Sequence, residues 1–213
     1  MQTNPSQQIK NHQHIEDFFA TTLSAIGNLV DDPFLRLTIS SSAEVISQMI
    51  SSGIGKVITT GLGKAGHVAE KAASSFSSLG VPACYLHPAQ ASHGDVGIVQ
   101  KNDIMIAFSN SGKTREVIEA VELSRRLGIS KVIAITAKND SPIASLSDIT
   151  IAIGDIKEAG YLSLAPTTSV MIMIMVSDII ATLCAKTIGL TINDFGLRHH
   201  GGYLGRKCRG EEP

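Results

Sequence analysis

The chain has 213 residues, of which 43% are hydrophobic and 17% are charged, a composition typical of a globular protein with a sizeable core. Lys and Arg number 18 against 19 Asp and Glu, so no overall field favours nucleic acid or an anionic membrane, and a small-molecule partner is expected. The three cysteines lack metal-type spacing and indicate neither a disulfide framework nor a zinc site.

The polar stretch from Met1 to about His14 is predicted to be loosely ordered, and it lacks the features of a signal peptide. Apolar residues then recur at helical spacing from Ile15 to Ile26 and from Asp32 to Ile50. Helices placed before the first strand often pack between subunits. We therefore expect residues 1–56 to contribute to a homo-oligomer.

From residue 57 the pattern alternates between strands and helices, which predicts crossover connections and a mainly parallel sheet. The predicted strands are Val57–Thr60, Ala83–Leu86, Ile104–Phe108, Val132–Thr136 and Ile149–Ile153; the predicted helices between and after them are Ala65–Leu79, Glu116–Leu127 and Thr167–Ile188. The expected fold is an α/β, flavodoxin-like three-layer α/β/α domain with five strands in the order 2-1-3-4-5. The last helix is strongly apolar, but polar residues interrupt it, which favours a buried helix of a cytoplasmic protein over a membrane span.

The first loop of this region, Gly61-Leu62-Gly63-Lys64-Ala65-Gly66, fits the G-x-G-x-x-G dinucleotide fingerprint between a strand and a helix. That fingerprint also needs an acidic residue about 20 positions on, at the end of the next strand. The next strand ends in His87-Pro88, and no acidic residue follows until Asp95. Binding of NAD is therefore a minor possibility.

The third strand runs directly into Ser109-Asn110-Ser111-Gly112-Lys113-Thr114, ahead of a helix. Three hydroxyls at a helix start, where free N–H groups and the positive dipole end converge, favour a phosphate site over plain capping, which needs one hydroxyl. A P-loop is disfavoured because Ala107 stands where its first glycine is required. In the order 2-1-3-4-5, this turn and the Gly61–Gly66 loop face one pocket.

Other polar groups lie in loops after strands or at helix starts, so we expect them on the carboxyl side of the sheet. They are Lys64, then His87, His93 and Asp95, then Glu158, then the hydroxyl cluster Thr167, Thr168 and Ser169, and finally His199 and His200. Taken singly, each also fits a plain role as a solvated charge, a turn or a helix cap. Without cysteines or paired carboxylates nearby in sequence, the histidine loops do not predict a metal site.

Taken together and in order from about Val57 to Lys207, these motifs resemble the arabinose 5-phosphate isomerase family of sugar isomerase (SIS) domains. The motifs are Gly61–Gly66, His87-Pro88-Ala89, His93-Gly94-Asp95, Ser109–Gly112, Leu164–Ser169 and the segment from Asp194-Phe195 through His199 to Arg206. The resemblance implies interconversion of D-ribulose 5-phosphate and D-arabinose 5-phosphate, which supplies Kdo for lipopolysaccharide or capsule. It also implies no cofactor, a homotetramer with sites shared between subunits, and one SIS domain over residues 1–213 that includes an active-site tail, residues 190–213, without the CBS modules common in relatives.

By motif position, the resemblance assigns catalytic or substrate-contacting roles to Lys64, His93, Glu116, Glu158 and His199, and sugar-phosphate binding to Gly63, Lys64, Ser109, Asn110, Ser111, Thr114, Thr167, Thr168 and Ser169. Our hypothesis makes Glu158 the proton-transfer base and His199 a second acid/base, with these two roles exchangeable. Lys64 and His93 would polarise the sugar oxygens and Glu116 would hold a base in place. Relatives usually read His-Pro-Gly-Gly where this chain has His200 in place of the proline, so His199 and His200 remain alternatives.

The sequence leaves the sugar open, because pocket depth depends on side chains from neighbouring subunits. The alternatives are an isomerase of sedoheptulose 7-phosphate or hexulose 6-phosphate and a non-catalytic sugar-phosphate-binding regulator. Relatives often carry an acid where this chain has Lys113. We also expect the pathway's nucleotide sugar, CMP-Kdo, to bind in or near the site as a feedback inhibitor, with its phosphate and carboxylate meeting Lys113, Arg198 and Arg206.

Overall fold

A computed structural model of the chain describes residues 5–211. Two helices precede the sheet, α1 (Pro5–Val30) and α2 (Pro33–Ser51). The Asp32 side chain caps α2 by accepting hydrogen bonds from two backbone amides, and Pro33 occupies the first turn as predicted. The expectation of a loosely ordered stretch up to His14 is wrong for residues 5–14, which form the first turns of α1; residues 1–4 lie outside the described part. The mostly polar side chains of residues 8–14 are exposed, which is compatible with a solvated helix.

The sheet has five parallel strands in the order β2-β1-β3-β4-β5, which confirms the predicted fold and topology. The strands are β1 (Val57–Gly61), β2 (Ala83–Tyr85), β3 (Ile104–Phe108), β4 (Lys131–Thr136) and β5 (Ile149–Ala152). Strands β1 and β3 are buried along their whole length because helices cover both faces of the sheet, which explains their nearly continuous apolar sequences. They are neighbours in register, with Gly61 opposite Phe108 at their carboxyl ends.

In the described part of the chain a short 3-10 helix (Asp95–Ile98) and seven further α-helices follow: α3 (Lys64–Ser78), α4 (Pro88–Ala91), α5 (Arg115–Arg126), α6 (Pro142–Ser145), α7 (Thr168–Thr187), α8 (Ile192–Arg198) and α9 (Gly202–Cys208). One core lies between the sheet and helices α2, α3 and α7, and a second lies between the sheet and α4, α5 and α6. Helices α8 and α9 lie in the tail that begins at Leu190, for which no secondary structure was predicted from the sequence. The helices that follow β1 and β3, α3 and α5, pack on opposite faces of the sheet, which leaves a crevice between the carboxyl ends of these two strands.

Helix α7 is the one helix within residues 5–211 that is long and apolar enough to cross a membrane. It packs against α2 and α3, and more than half of its most apolar window is buried. Its polar residues are explained by this position. Asp178 pairs with Lys71 on α3, and the buried Ser177 hydroxyl donates to the Ile174 carbonyl. The helix is therefore packed as a core element, as its polar interruptions predict.

Candidate functional site

The turn between β3 and α5 leaves the start of α5 free of side-chain capping. Thr114 occupies the cap position, yet among the described residues its side chain makes no capping hydrogen bond to the helix. Instead the hydroxyls of Thr114 and Ser109 lie 2.9 Å apart, and Ser111 Oγ accepts a hydrogen bond from Lys113 N at 3.2 Å, inside the turn. The interpretation of these hydroxyls as plain helix caps is therefore wrong. The first-turn N–H groups of α5 remain available to an anion.

The turn is held in place by the loop that follows β4. Asn110 O accepts hydrogen bonds from Ala137 N at 2.9 Å and from the Thr136 hydroxyl at 3.2 Å, and Ile143 N donates to Gly112 O at 3.1 Å. Gly112 has φ of +65°, and a Cβ there would overlap the Ser141 side chain. This supporting loop was not predicted from the sequence. The signal that could have found it is the pair of hydroxyl residues Thr136, at the end of the buried strand β4, and Ser141, five positions later.

Lys64 follows the neighbouring strand β1, at the same edge of the sheet as the turn after β3. It is the first residue of α3, it is exposed, and Gly63 before it has φ of +60°. The α3 start carries no side-chain cap among the described residues, so two helix N-termini, those of α3 and α5, adjoin the crevice. The expectation that the Gly61–Gly66 loop and the Ser109–Thr114 turn leave neighbouring strands at one edge is confirmed.

Two further predicted residues lie on elements around α5. Glu116 is half-buried in the first turn of α5, where its charge is favourable to the helix dipole. His93 is exposed in the segment after α4, and α4 packs against α5.

Two buried polar side-chain atoms close to the crevice are unpaired. Within residues 5–211, the Oδ1 atom of Asn110 has no hydrogen-bond partner, and neither has the Thr60 hydroxyl near the end of β1. Unpaired buried polar atoms are costly and mark positions to examine for ligands or water.

Glu158 accepts hydrogen bonds from the start of α7. Thr167 N and Ser169 N donate to Oε2 at 2.8 and 3.2 Å, the Thr167 hydroxyl lies 3.3 Å from the same oxygen, and the Ser169 hydroxyl bonds to Oε1. Burial raises the pKa of this carboxyl, but the hydrogen bonds from Ser169 and Thr167 outweigh burial, and the pKa lies below its ordinary value. Glu158 is thus an ionised carboxylate anchored to a helix N-terminus.

The hydroxyl cluster Thr167, Thr168 and Ser169 is therefore engaged within the chain. Thr168 is buried and its hydroxyl accepts from Ala159 N at 3.2 Å, while the Thr167 hydroxyl donates to Ala159 O at 2.8 Å. These contacts hold the segment after β5 against α7. Direct sugar binding by these three residues stays a prediction. To bind a sugar, their hydroxyls would have to give up the hydrogen bonds that they make within the chain.

His199 lies elsewhere in the same chain. Its Nδ1 is 2.9 Å from Phe195 O and its ring stacks on Phe195, with centroids 4.0 Å apart. Preceding Arg198 reaches Gly80, which follows the end of α3 on the side where β2 begins. The expectation that all candidate groups lie at the carboxyl edge is therefore wrong for His199 within one chain, because the tail follows the far end of α7. A five-residue strand separates the two edges by about 16 Å.

No group of three or more His, Cys, Asp or Glu residues in the described ranges is arranged to hold a metal ion.

The chain matches the SIS domain family over residues 49–183. It is 39% identical over 160 residues to the arabinose 5-phosphate isomerase KdsD of Pseudomonas aeruginosa, a match that covers 75% of this chain and 49% of that protein. The chain spans about half the length of the curated relatives it matches.

Two solved structures match over almost their whole length. A presumed phosphosugar isomerase involved in capsule formation from Bacteroides fragilis is 38% identical, with a TM-score of 0.82 over 90% of this chain and 98% of that chain. The c3406 protein of E. coli CFT073, in complex with A5P, is 32% identical, with a TM-score of 0.79 over 92% of this chain and 100% of that chain. The chain therefore belongs to the SIS domain family, in the group that includes the arabinose 5-phosphate isomerases.

Proposed function

We propose that the protein is a sugar-phosphate isomerase that interconverts D-ribulose 5-phosphate and D-arabinose 5-phosphate. The observation that carries this proposal is the uncapped N-terminus of α5, with the Ser109–Thr114 hydroxyls around it, across a crevice from Lys64. A dianionic phosphate suits the start of α5 because free amide N–H groups and hydroxyls both stabilise it, which leaves Lys64 to act on the sugar oxygens. The A5P complex of the related E. coli protein supports a five-carbon sugar phosphate as the ligand.

The chemistry moves one proton between two carbons. A base removes the C2 proton of the open-chain aldose, the C–H electrons form a C1=C2 double bond, and the carbonyl oxygen takes up a proton to give a cis-enediol. Returning the proton to C1 while the C2 hydroxyl loses its own gives the ketose, so no redox cofactor is needed. Lys64 and His93 stabilise negative charge on the oxygens.

The lowered pKa of Glu158 bears on which group is the base. Two backbone amides and the Ser169 hydroxyl already donate to its carboxylate, and this makes it a weaker base than an ordinary glutamate. We therefore favour the exchanged assignment, with His199 moving the carbon-bound proton and Glu158 holding the enediol hydroxyls or the ring-opening proton. His199→Ala then lowers kcat about 10²–10⁴-fold, and Glu158→Gln lowers it less.

Because His199 of one chain lies at the opposite sheet edge, the proposed site takes this residue from a second copy. Exposed apolar side chains support such an assembly: Ile15, Phe19 and Leu23 on α1 are 51–66% exposed, and Leu197 on α8 is 78% exposed. An apolar stripe at four-residue spacing on a helix is a suitable subunit contact. We propose a homo-oligomer, a tetramer by the resemblance, in which the tail of one subunit completes the crevice of another.

The place of this reaction in Kdo supply for lipopolysaccharide or capsule, inhibition by CMP-Kdo and a cytoplasmic location are part of the same proposal. The capsule role is supported by the structural relative from Bacteroides fragilis, which is described as involved in capsule formation. The Kdo role, the inhibitor and the location rest on the resemblance of the sequence motifs alone. Residues 1–213 would act as one SIS domain. A binding titration with CMP-Kdo in the presence of arabinose 5-phosphate tests the inhibitor separately, and an absence of competition contradicts it.

The deciding experiment incubates the purified protein with pentose, hexose and heptose phosphates and follows aldose–ketose conversion by NMR. We expect turnover of arabinose 5-phosphate and ribulose 5-phosphate well above that of the longer sugars. Ser111→Ala should raise KM, with Ser145→Ala, an exposed hydroxyl on α6, as the matched control. Preferred turnover of a heptose or hexose phosphate would assign a different isomerase. Tight binding without turnover of any sugar would indicate a regulator.

A further inference from the structure

The Gly61–Gly66 loop, which carries Lys64, is tightly packed at its first and last glycines. A Cβ added at Gly61 would lie 2.7 Å from Ala65 O, and one added at Gly66 would lie 2.8 Å from Gly61 O. The carbonyl of Gly61 is thus packed directly against the first turn of α3. Any movement of this carbonyl moves the residues between the two glycines, and Lys64 is among them.

The ladder between β1 and β2 ends one hydrogen bond before this carbonyl. Leu86 N donates to Thr59 O at 2.8 Å, and rungs on one side of a parallel strand advance by two residues. The next donor, to Gly61 O, would be the amide of residue 88. That residue is Pro88, which has no N–H. The buried Gly61 carbonyl therefore needs a donor from outside the ladder.

Tyr85 supplies that donor. Its hydroxyl donates to Gly61 O at 2.9 Å, and its ring meets the His87 ring edge-on with centroids 6.1 Å apart. Burial raises the pKa of the phenol, so the hydroxyl keeps its proton at neutral pH. Tyr85 thus joins the loop that carries Lys64 to the segment that leads to His93.

We propose that Tyr85 is a positioning residue for Lys64: its hydroxyl stands in for the donor that Pro88 lacks and fixes the Gly61–Gly66 loop in the shape that aims the lysine at the sugar oxygens. The inference rests on the isomerase function proposed above. It assigns Tyr85 no contact with substrate. The effect of the hydroxyl on the reaction passes through the loop and depends on the presence of Lys64.

Tyr85→Phe is the direct test, because it keeps the ring, and with it the packing, and removes only the donor. Ser77→Ala is the matched control: Ser77 Oγ donates to Ala83 O at 3.1 Å, so this variant also removes a hydroxyl-to-carbonyl bond between α3 and β2, but at the other end of β2. Hydrogen exchange is followed by mass spectrometry without substrate. We expect faster exchange across the Gly61–Gly66 loop in Tyr85→Phe and wild-type exchange there in Ser77→Ala.

Kinetics of a double-mutant cycle with Lys64→Ala measure the coupling. We expect Tyr85→Phe to lower kcat about tenfold with KM changed by less than about twofold, because the lysine acts on the transition state. In the Lys64→Ala background the same change should alter kcat by less than about twofold. Ser77→Ala should leave both parameters at the wild-type level.

Two results would overturn the proposal: an equal loss of kcat from Tyr85→Phe in both backgrounds, or unchanged loop exchange. A wild-type protein that converts no sugar phosphate would refute the isomerase function instead. The exchange measurement would then decide alone whether Tyr85 fixes the loop, so the two failures are distinguishable.

Discussion

Glu158 shows how its neighbours can decide the chemistry of one carboxylate. From its residue type and its position in the motif, Glu158 was predicted to be an acid/base group. The hydrogen bonds from the start of α7 depend on a chain reversal between residues 158 and 169, which no local pattern specifies. The same holds for Tyr85, whose role follows from strand register and from a proline three residues away.

We expect Glu158→Gln to lower the free energy of unfolding by about 1–2 kcal/mol at pH 7, because a charged acceptor at a helix N-terminus is lost. The folded pKa of Glu158 lies below its ordinary value, so its stabilisation is present above the unfolded pKa and disappears as the pH falls through the folded pKa. Urea unfolding at pH 7 and under acid conditions should show the two proteins converging in acid. Glu119→Gln, an exposed change on α5, is the control. A difference that persists unchanged in acid would contradict the prediction.

The turn between β3 and α5 has a hydroxyl motif that is visible in the sequence and a supporting loop that is not. Its hydroxyls and glycine are adjacent in the chain, so the phosphate site is readable as a motif. Its support comes from the β4–α6 loop, some 25 residues away, and only the fold brings Thr136 and Ser141 to it. Strands and long helices were likewise predictable from periodicity, whereas α8 and α9 were not, because short helices carry too few apolar repeats.

Gly112→Ala should destabilise the protein by about 2–4 kcal/mol, since it combines a left-handed backbone with overlap on Ser141. Gly63→Ala is the comparison without overlap: its φ is also positive, but nothing lies within 4 Å of its added Cβ, so it should carry only the cost of backbone strain, about 1–3 kcal/mol, and be the smaller loss. Adding Ser141→Gly to Gly112→Ala should recover part of the loss. Thermal unfolding of the variants measures all three effects, and equal costs at the two glycines would refute the steric account.

Within one chain, His199 lies far from the crevice between β1 and β3, so we predict that two different subunits contribute to each site. Ser111→Ala and His199→Ala should each have low activity alone. When the two are co-expressed or mixed by unfolding and refolding, some sites combine an intact turn from one chain with an intact tail from the other. Activity should then rise above that of either parent. Mixed samples no more active than their parents would show that each chain uses its own His199.

Charges placed on the exposed stripe of α1 should separate the subunits. We expect Phe19→Glu with Leu23→Glu to reduce the molecular mass measured by light scattering and to abolish turnover, with the circular dichroism spectrum retained. Ile54→Glu changes a residue that is 56% exposed in the loop between α2 and β1 and should leave both properties unchanged. A fully active monomer would contradict the shared site.

The position of α7 in the chain has a consequence for synthesis on the ribosome. A helix that is apolar enough to cross a membrane is prone to aggregate or to bind a membrane before it packs against the rest of the protein. All five strands and the helices α2 and α3, on which it packs, are translated before it. When α7 leaves the exit tunnel its docking surface can already exist, so translation order limits the time for which this apolar segment is exposed.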